Sequence, residues 1–300
     1  MSHSVHALEN EYWKAGILPE TGASIAFGRV NSGGAWVDIL RPTAPADYGN
    51  SSNCSSFIMM PWCNRIGGGR LNFGGKSHQL AVTQDDGTAR HGDVRGRAFT
   101  VTEASATAIR MTLDSRTQEN INWPFAFRAD VSYQLDGAAF VWELALTNLD
   151  SRPFPAGFGH HPYFVRPAHA PIVQIPCTEQ FDLVNFLAVK APVPIVPRLD
   201  FRNPRALPDG ELNDLLTTPT PGEPVRLTFT DRAVSVVFSA DPIFAHWLIY
   251  APLGKPFFAV EPMTNASNGF ALDEAGIRGS GVFVLAPGET RRGSCRITVA

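Results

Sequence analysis

Apolar and polar residues alternate with period two along much of the chain. Residues 125–135 read FAFRADVSYQL. Phe125, Phe127, Ala129, Val131, Tyr133 and Leu135 fall on one side, and Arg128, Asp130, Ser132 and Gln134 on the other, which predicts a half-buried strand. Asp136-Gly137 follows and is a strong hairpin-turn signal. Residues 139–146 then place Phe140, Trp142, Leu144 and Leu146 on one face, so the two segments predict a hairpin. The same reasoning predicts strands over 107–113, 225–230, 234–238, 246–250, 257–260, 281–285 and 294–299. The 24 prolines and 26 glycines punctuate them, and no segment reads as a long amphipathic helix. Many short strands with turn-rich joints predict an all-β fold, a large antiparallel β-sandwich or barrel, not a doubly wound sheet. Residues 41–56 and 189–224 read as loops, and long loops are where a cleft is built. No repeat or composition shift marks a linker, so 1–300 is expected to be a single domain.

Composition narrows the class. Apolar residues make up 44% of the 300 and charged residues 18%, the reverse of a disordered chain. The 25 Lys and Arg are scattered against 28 Asp and Glu, a formal net charge of -3, so no nucleic-acid partner is expected. The cysteines Cys54, Cys63, Cys177 and Cys295 form no CxxC pair and offer no structural zinc site. They are expected to be buried thiols in a reducing compartment, although Cys54 and Cys63 could close a loop if oxidised. The first residues, MSHSVHALENEYWKAG, lack a basic stretch followed by an apolar run. No apolar run approaches membrane-spanning length either, so the expectation is no membrane and a cytoplasmic location.

Four stretches carry candidate chemistry. In PWCNRIGGGRLNFGG (61–75), Asn64 and Arg65 precede a glycine run that is neither a P-loop nor a dinucleotide fingerprint. A tight turn is expected there, with Arg65 able to present its fork of donors to vicinal sugar oxygens or a carboxylate. His91-Gly92-Asp93 puts a histidine on a turn, solvated or poised at a site. In GFGHHPYF (157–164), adjacent residues of an extended segment face opposite ways, so only one of His160 and His161 can face a cleft. Pro162 holds His161 in the extended region. In FFAVEPM (257–263), Glu261 ends an apolar run. It either emerges to solvent or sits at a functional rim, where a dry cleft would raise its pKa and make it a competent base. His91, Asp93, His160, His161 and Glu261 are all metal-ligand types, but their spacing lacks HExxH and no metal is expected. GxSxG is absent, and nothing in the spacing supports Cys63 as a nucleophile.

Taken in order, NRI (64–66), HG (91–92), HPYF (161–164), EP (261–262) and TNASNGF (264–270) resemble the aldose 1-epimerase (mutarotase) family. Residues 123–150 and 153–164 look especially like its bacterial members, and the resemblance runs from about Ile17 to about Val299. It implies a galactose mutarotase-like supersandwich with an open cleft across one sheet, acting on a small-molecule sugar as a monomer or homodimer. It also implies a reaction without metal or cofactor. A glutamate deprotonates the anomeric hydroxyl, a histidine protonates the ring oxygen, and the ring opens, rotates about C1–C2 and recloses. Residue by residue, the resemblance makes Glu261 the base, His161 the acid, His91 a second, supporting histidine and Arg65 a substrate-binding arginine with Asn64 beside it. His160 receives no catalytic role. The family's substrate-binding aspartate falls in 212–217, where register favours Asn213 and a one-residue shift would give Asp214. Asp93, where glycine is common in the family, either reads a hydroxyl or sits in a turn. Two other readings remain open. One is an enzyme for a phosphorylated or otherwise modified sugar, for which Arg65, Arg70, Arg90, Arg95 and Arg97 are candidate cations. The other is a non-catalytic carbohydrate-binding or sensing protein.

Overall fold

The computed structural model describes residues 4–300. Two large antiparallel sheets dominate it. The 11-stranded sheet runs His6–Glu9, Trp13–Leu18, Ser24–Ser32, Ser56–Met59, Gly159–Val165, Phe257–Met263, His246–Ala251, Leu212–Pro219, Cys177–Phe181 and Val193–Pro194, with Ala35–Asp38 added beside Ser24–Ser32. The 9-stranded sheet has Phe127–Asp136, Ala139–Asn148 and Thr290–Val299 near its middle and ends on Thr100–Ala104 at one edge. The molecule is an all-β antiparallel sandwich.

The alternating segment forms the strand Phe127–Asp136, whose side chains alternate between buried and more exposed along its length. It pairs with Ala139–Asn148 in a hairpin, Asp136 opposite Ala139. The two loop residues are therefore Gly137 and Ala138, one position later than the Asp136-Gly137 reading. Gly137 takes the left-handed φ of 53° that this turn needs. The expectation of a loop throughout 189–224 is also corrected: Leu212–Pro219 is an eight-residue strand whose residues Leu212 to Thr217 pair with His246–Ala251. Its neighbours Asn213 and Asp214 break the apolar alternation that would have revealed it. Residues 41–56 carry two short 3₁₀ turns, Pro45–Asp47 and Ser51–Asn53, and no strand before Ser56. A single six-residue α-helix, Gly269–Glu274, is present among the described residues.

Central strands of the larger sheet are buried on both faces, Gly159–Val165 without exception. One face packs on the 9-stranded sheet. Ile58, Phe164, Leu216, Ile249 and Val260 join Phe140, Trp142 and Phe238 in the main core. Their chain neighbours Phe57, Tyr163, Leu215, Leu248 and Ala259 form a second cluster on the opposite face. That second face is the floor of the site.

Candidate active site

Strand register brings the central residues together. Phe57 pairs with His161 across one ladder, and Leu248 pairs with Glu261 across another. Between them, Gly159 pairs with Met263 and Tyr163 with Ala259, which brings His161 level with Glu261. Phe57, His161, Glu261 and Leu248 thus form a row across four strands on the same face. Both strands carry a proline within the row's neighbourhood, Pro162 and Pro262, where a central strand ordinarily has none.

The result is a carboxyl–imidazole contact, His161 Nε2 to Glu261 Oε1 at 3.1 Å. Glu261 is 1% exposed and His161 5%. The two atoms are close but poorly aligned, and neither Glu261 oxygen has a hydrogen-bond partner, nor does His161 Nδ1. Burial raises the Glu261 carboxyl well above its ordinary range, opposed by the positive charges of Arg65 and Arg90. Burial also drives His161 well below the usual histidine value, and Arg95, Arg41 and Arg90 push in the same direction. Both groups are therefore driven toward their neutral forms. A neutral pair holds one shared proton. It differs from a carboxylate facing an imidazolium only by movement of that proton across the contact.

Aromatic rings hold the imidazole. Phe57 stacks on His161 with centroids 4.5 Å apart, and Tyr163 lies 4.4 Å away on the same strand face. His91 meets His161 edge-on at 5.3 Å. His91 is itself pushed low, first by burial and then by His161 and nearby arginines. Its Nδ1 lies 3.1 Å from the sulfur of Met59. Both His91 and Asn64 have left-handed backbones, at φ 63° and 54°, and the His91 N–H donates to the Asn64 carbonyl at 2.7 Å. Non-glycine residues adopt that region at a cost that the surroundings must offset. Gly92 follows because a Cβ there would run into the backbone of Met60.

The TNASNGF stretch acts as a clamp. Asn265 accepts from the Cys63 N–H at 2.9 Å and donates to the Cys63 carbonyl at 3.3 Å. Asn268 accepts from the Gly67 N–H at 3.2 Å, and its own N–H donates to the Arg65 carbonyl at 2.7 Å. These bonds fix both ends of the segment that presents Asn64 and Arg65. The Arg65 guanidinium meets Asp86 at 2.9 Å, donates to Asn64 Oδ1 at 3.1 Å and covers the Phe186 ring at 4.6 Å.

Asn64, Arg65, His91, His161, Asn213 and Glu261 all line one cavity of about 190 Å³. Asp214 lies outside that lining. It faces the other way from Asn213 and pairs with Arg198 at 2.6 Å. Asn213, opposite Tyr250 in the ladder, shares the cleft side with Leu215. Asp93 is also away from the cavity. It pairs with Arg97 at 2.6 Å and accepts from the Asn122 N–H at 3.1 Å, which takes Arg97 from the cation candidates too. His160 points into the main core against Trp142, with centroids 4.8 Å apart. Ser52, Phe57 and Tyr250 also line the cavity and carried no site signal in the sequence, because each stands alone in an otherwise unremarked segment. Arg90 and Arg95 line it as well.

All four cysteines are free and buried. Cys54 and Cys63 belong to separate apolar clusters, and burial pushes the Cys54 thiol up to about 11. Cys63 is pushed up further, the opposite of an activated nucleophile. Among the described residues, no group of three or more His, Cys, Asp or Glu could hold a metal ion. No helix among them is long and apolar enough to cross a membrane.

The architecture and this cleft define a galactose mutarotase-like β-sandwich protein. The chain belongs to the aldose 1-epimerase family, whose sequence profile matches residues 7–298. This membership places it among isomerase-type enzymes of sugar chemistry. It is similar to the uncharacterized protein YphB of Escherichia coli K12, 24% identical over 271 residues, covering 86% of this chain and 88% of that one. Among solved structures, a galactose mutarotase-like protein from Clostridium acetobutylicum superposes with a TM-score of 0.86 at 18% identity, covering 99% of this chain and 95% of the other. An aldose epimerase homologue from C. elegans superposes at 0.85 with 16% identity, covering 99% of both chains. At these identities the structural matches speak to the fold.

Proposed function

We propose that the protein interconverts the α and β anomers of an aldose, with Glu261 and His161 as the proton acceptor and donor. The observation that carries this reading is the 3.1 Å contact between them on the floor of a buried-walled cavity of about 190 Å³. That volume is below the range typical of drug-sized ligands and suits a single small molecule. Anomer exchange needs one group to take the proton of the C1 hydroxyl while another delivers one to the ring oxygen. A pair holding one proton between them can do both, and the reverse step restores it. The C1–O–H proton passes to Glu261 as the C1–ring-oxygen bond breaks, the C1–O bond becomes the aldehyde, and His161 protonates the departing ring oxygen. Rotation about C1–C2 and reclosure give the other anomer. The reaction uses only these proton transfers.

Arg65, braced by Asp86, orients the sugar, with Asn64, His91 and Asn213 offering further hydrogen bonds. We read the two sheets as one domain, because one contiguous apolar core runs between them. The non-catalytic alternative explains the cavity but gives no reason for a buried carboxyl without a hydrogen-bond partner.

NMR saturation exchange between anomers over a panel of aldoses tests the proposal. Enzyme-dependent exchange, lost in Glu261→Gln, is expected. Tight sugar binding with no enhanced exchange for any aldose would put the protein among binding or sensing proteins instead.

A further inference from the structure

A short hairpin beside the cleft holds one residue at odds with its backbone. Its strands, Leu183–Val184 and Leu187–Ala188, are joined by Asn185 and Phe186. Both loop residues are left-handed, at φ 49° and 66°. A two-residue turn of this kind favours glycine at its second position. Phenylalanine stands there instead, and a bulky side chain at positive φ is strained. Its ring is also 44% exposed and joins none of the apolar clusters. Both features are unfavourable, and packing within the core offsets neither.

What the ring does touch is Arg65, whose guanidinium lies 4.6 Å from the ring centroid. Arg65 is 8% exposed and lines the cavity. Asp86 accepts from its Nε and Asn64 from its Nη1, which leaves the Nη2 donors without a protein acceptor among the described residues. Ring and guanidinium are fixed by one segment. The Ser267 hydroxyl donates to the Phe186 carbonyl at 2.6 Å, and Asn268 Nδ2 donates to the Ala188 carbonyl at 3.2 Å. The backbone N–H of that same Asn268 holds the Arg65 carbonyl. Leu187 packs so closely on Gly67 that a Cβ there would lie 3.0 Å from its side chain.

We propose that Phe186 is a positioning residue for sugar binding: its ring closes the solvent side of the Arg65 guanidinium and holds the Nη2 donors toward the cavity. A guanidinium on an aromatic face gains more as water is removed from it, and a fork already fixed loses less freedom when it binds. The strained turn is what sets the ring over Arg65 rather than out in solvent. Such a fork grips the sugar in the ground state and the transition state alike, so its effect falls on KM more than on kcat. This inference rests on the reading of the cavity as a site of anomer exchange.

The test measures kcat and KM by NMR exchange for glucose or galactose, whichever the wild-type protein exchanges faster. Phe186→Ala and Phe186→Gly should each raise KM by about 5- to 10-fold and leave kcat within about threefold. Phe186→Tyr keeps the ring face and should hold KM within about twofold of the wild type. In an Arg65→Ala background, Phe186→Ala should add less than about twofold, because the ring acts through Arg65. The two truncations should part in stability. Phe186→Gly should melt above Phe186→Ala, since only glycine relieves the left-handed angle. Unchanged KM in both truncations, or the same loss with and without Arg65, overturns the positioning role while leaving anomer exchange standing. So does an altered oligomeric state on size-exclusion chromatography with KM unchanged, which would make the exposed ring a contact between copies. No exchange of any sugar by the wild-type protein overturns the anomer-exchange reading and this inference with it.

Discussion

His160 and His161 are adjacent in the chain, both are buried, and their strand turns them to opposite faces. His160 is 0% exposed, surrounded by Trp142 and Tyr133, with neither ring nitrogen hydrogen-bonded. Burial alone lowers its pKa, to about 3. His161 is lowered too, but it faces a carboxyl and a group of arginines. A perturbed pKa therefore does not distinguish a site from a core. What distinguishes the two faces is a partner able to exchange a proton, next to open volume. On one face the histidine is a polar ring held among aromatics; on the other it stands 3.1 Å from a buried carboxyl beside open volume.

The largest effects should follow from breaking that pair. Glu261→Gln and His161→Asn are each expected to lower kcat/KM for anomer exchange by about 10²- to 10⁴-fold. Circular dichroism should show the fold retained, and the melting temperature of Glu261→Gln should stay close to that of the wild type, since an amide of the same shape replaces the buried carboxyl. Full activity in either variant would reassign that residue.

Next comes pH. The wild-type rate should be bell-shaped, because the working state holds one proton on the pair. The acid limb belongs below the ordinary histidine value and the alkaline limb above the ordinary carboxyl value, as macroscopic constants of the pair. Stability responds to buried histidines outside the cavity. His160 and His246, lowered by burial to about 3 and about 4, bind fewer protons folded than unfolded. Their contribution is intact above pH 6.5 and is lost as pH falls from there toward those values. Each steepens the loss by up to about 1.4 kcal/mol per pH unit. Denaturant titrations at several pH values should show His160→Leu flattening this acid limb.

Two smaller tests sharpen the contrast. Asn213→Ala should weaken sugar binding by about 10-fold, while Asp214→Asn, outside the lining of the cavity, should change the rate by less than about threefold. A larger loss for Asp214 would reverse the choice between them. His160→Leu should likewise alter the rate by less than about threefold at neutral pH. A collapse of activity there would mean that the core face positions His161 more tightly than its aromatic neighbours suggest.

The strands were legible where one face is wet, as in Phe127–Asp136, because alternation is then written into the residue types. Leu212–Pro219 was not, since Asn213 and Asp214 interrupt it and prolines surround it. That segment also held the open choice between those two residues, and only the placement of its faces relative to the cavity separates them. The opposition of His160 and His161 followed from strand geometry alone. The directions of Arg90 and Arg95 did not, because both come from short segments whose paths are set by partners far away in sequence. The asparagines of TNASNGF were visible as a motif, but their clamping of Cys63 and Gly67 depends on contacts about 200 residues apart.

That clamp has a consequence for how the protein acquires its activity. The strand bearing His161 is held between segments roughly 100 residues away on either side, and Arg65 is fixed from Asn268. No local piece of chain contains a working cleft. Chains rich in such distant pairings fold slowly, since loop closure precedes the reward of contact. Return of turnover after dilution from denaturant should thus coincide with the last step of sheet closure rather than with early collapse. Catalysis would then serve as a clock for the completed chain.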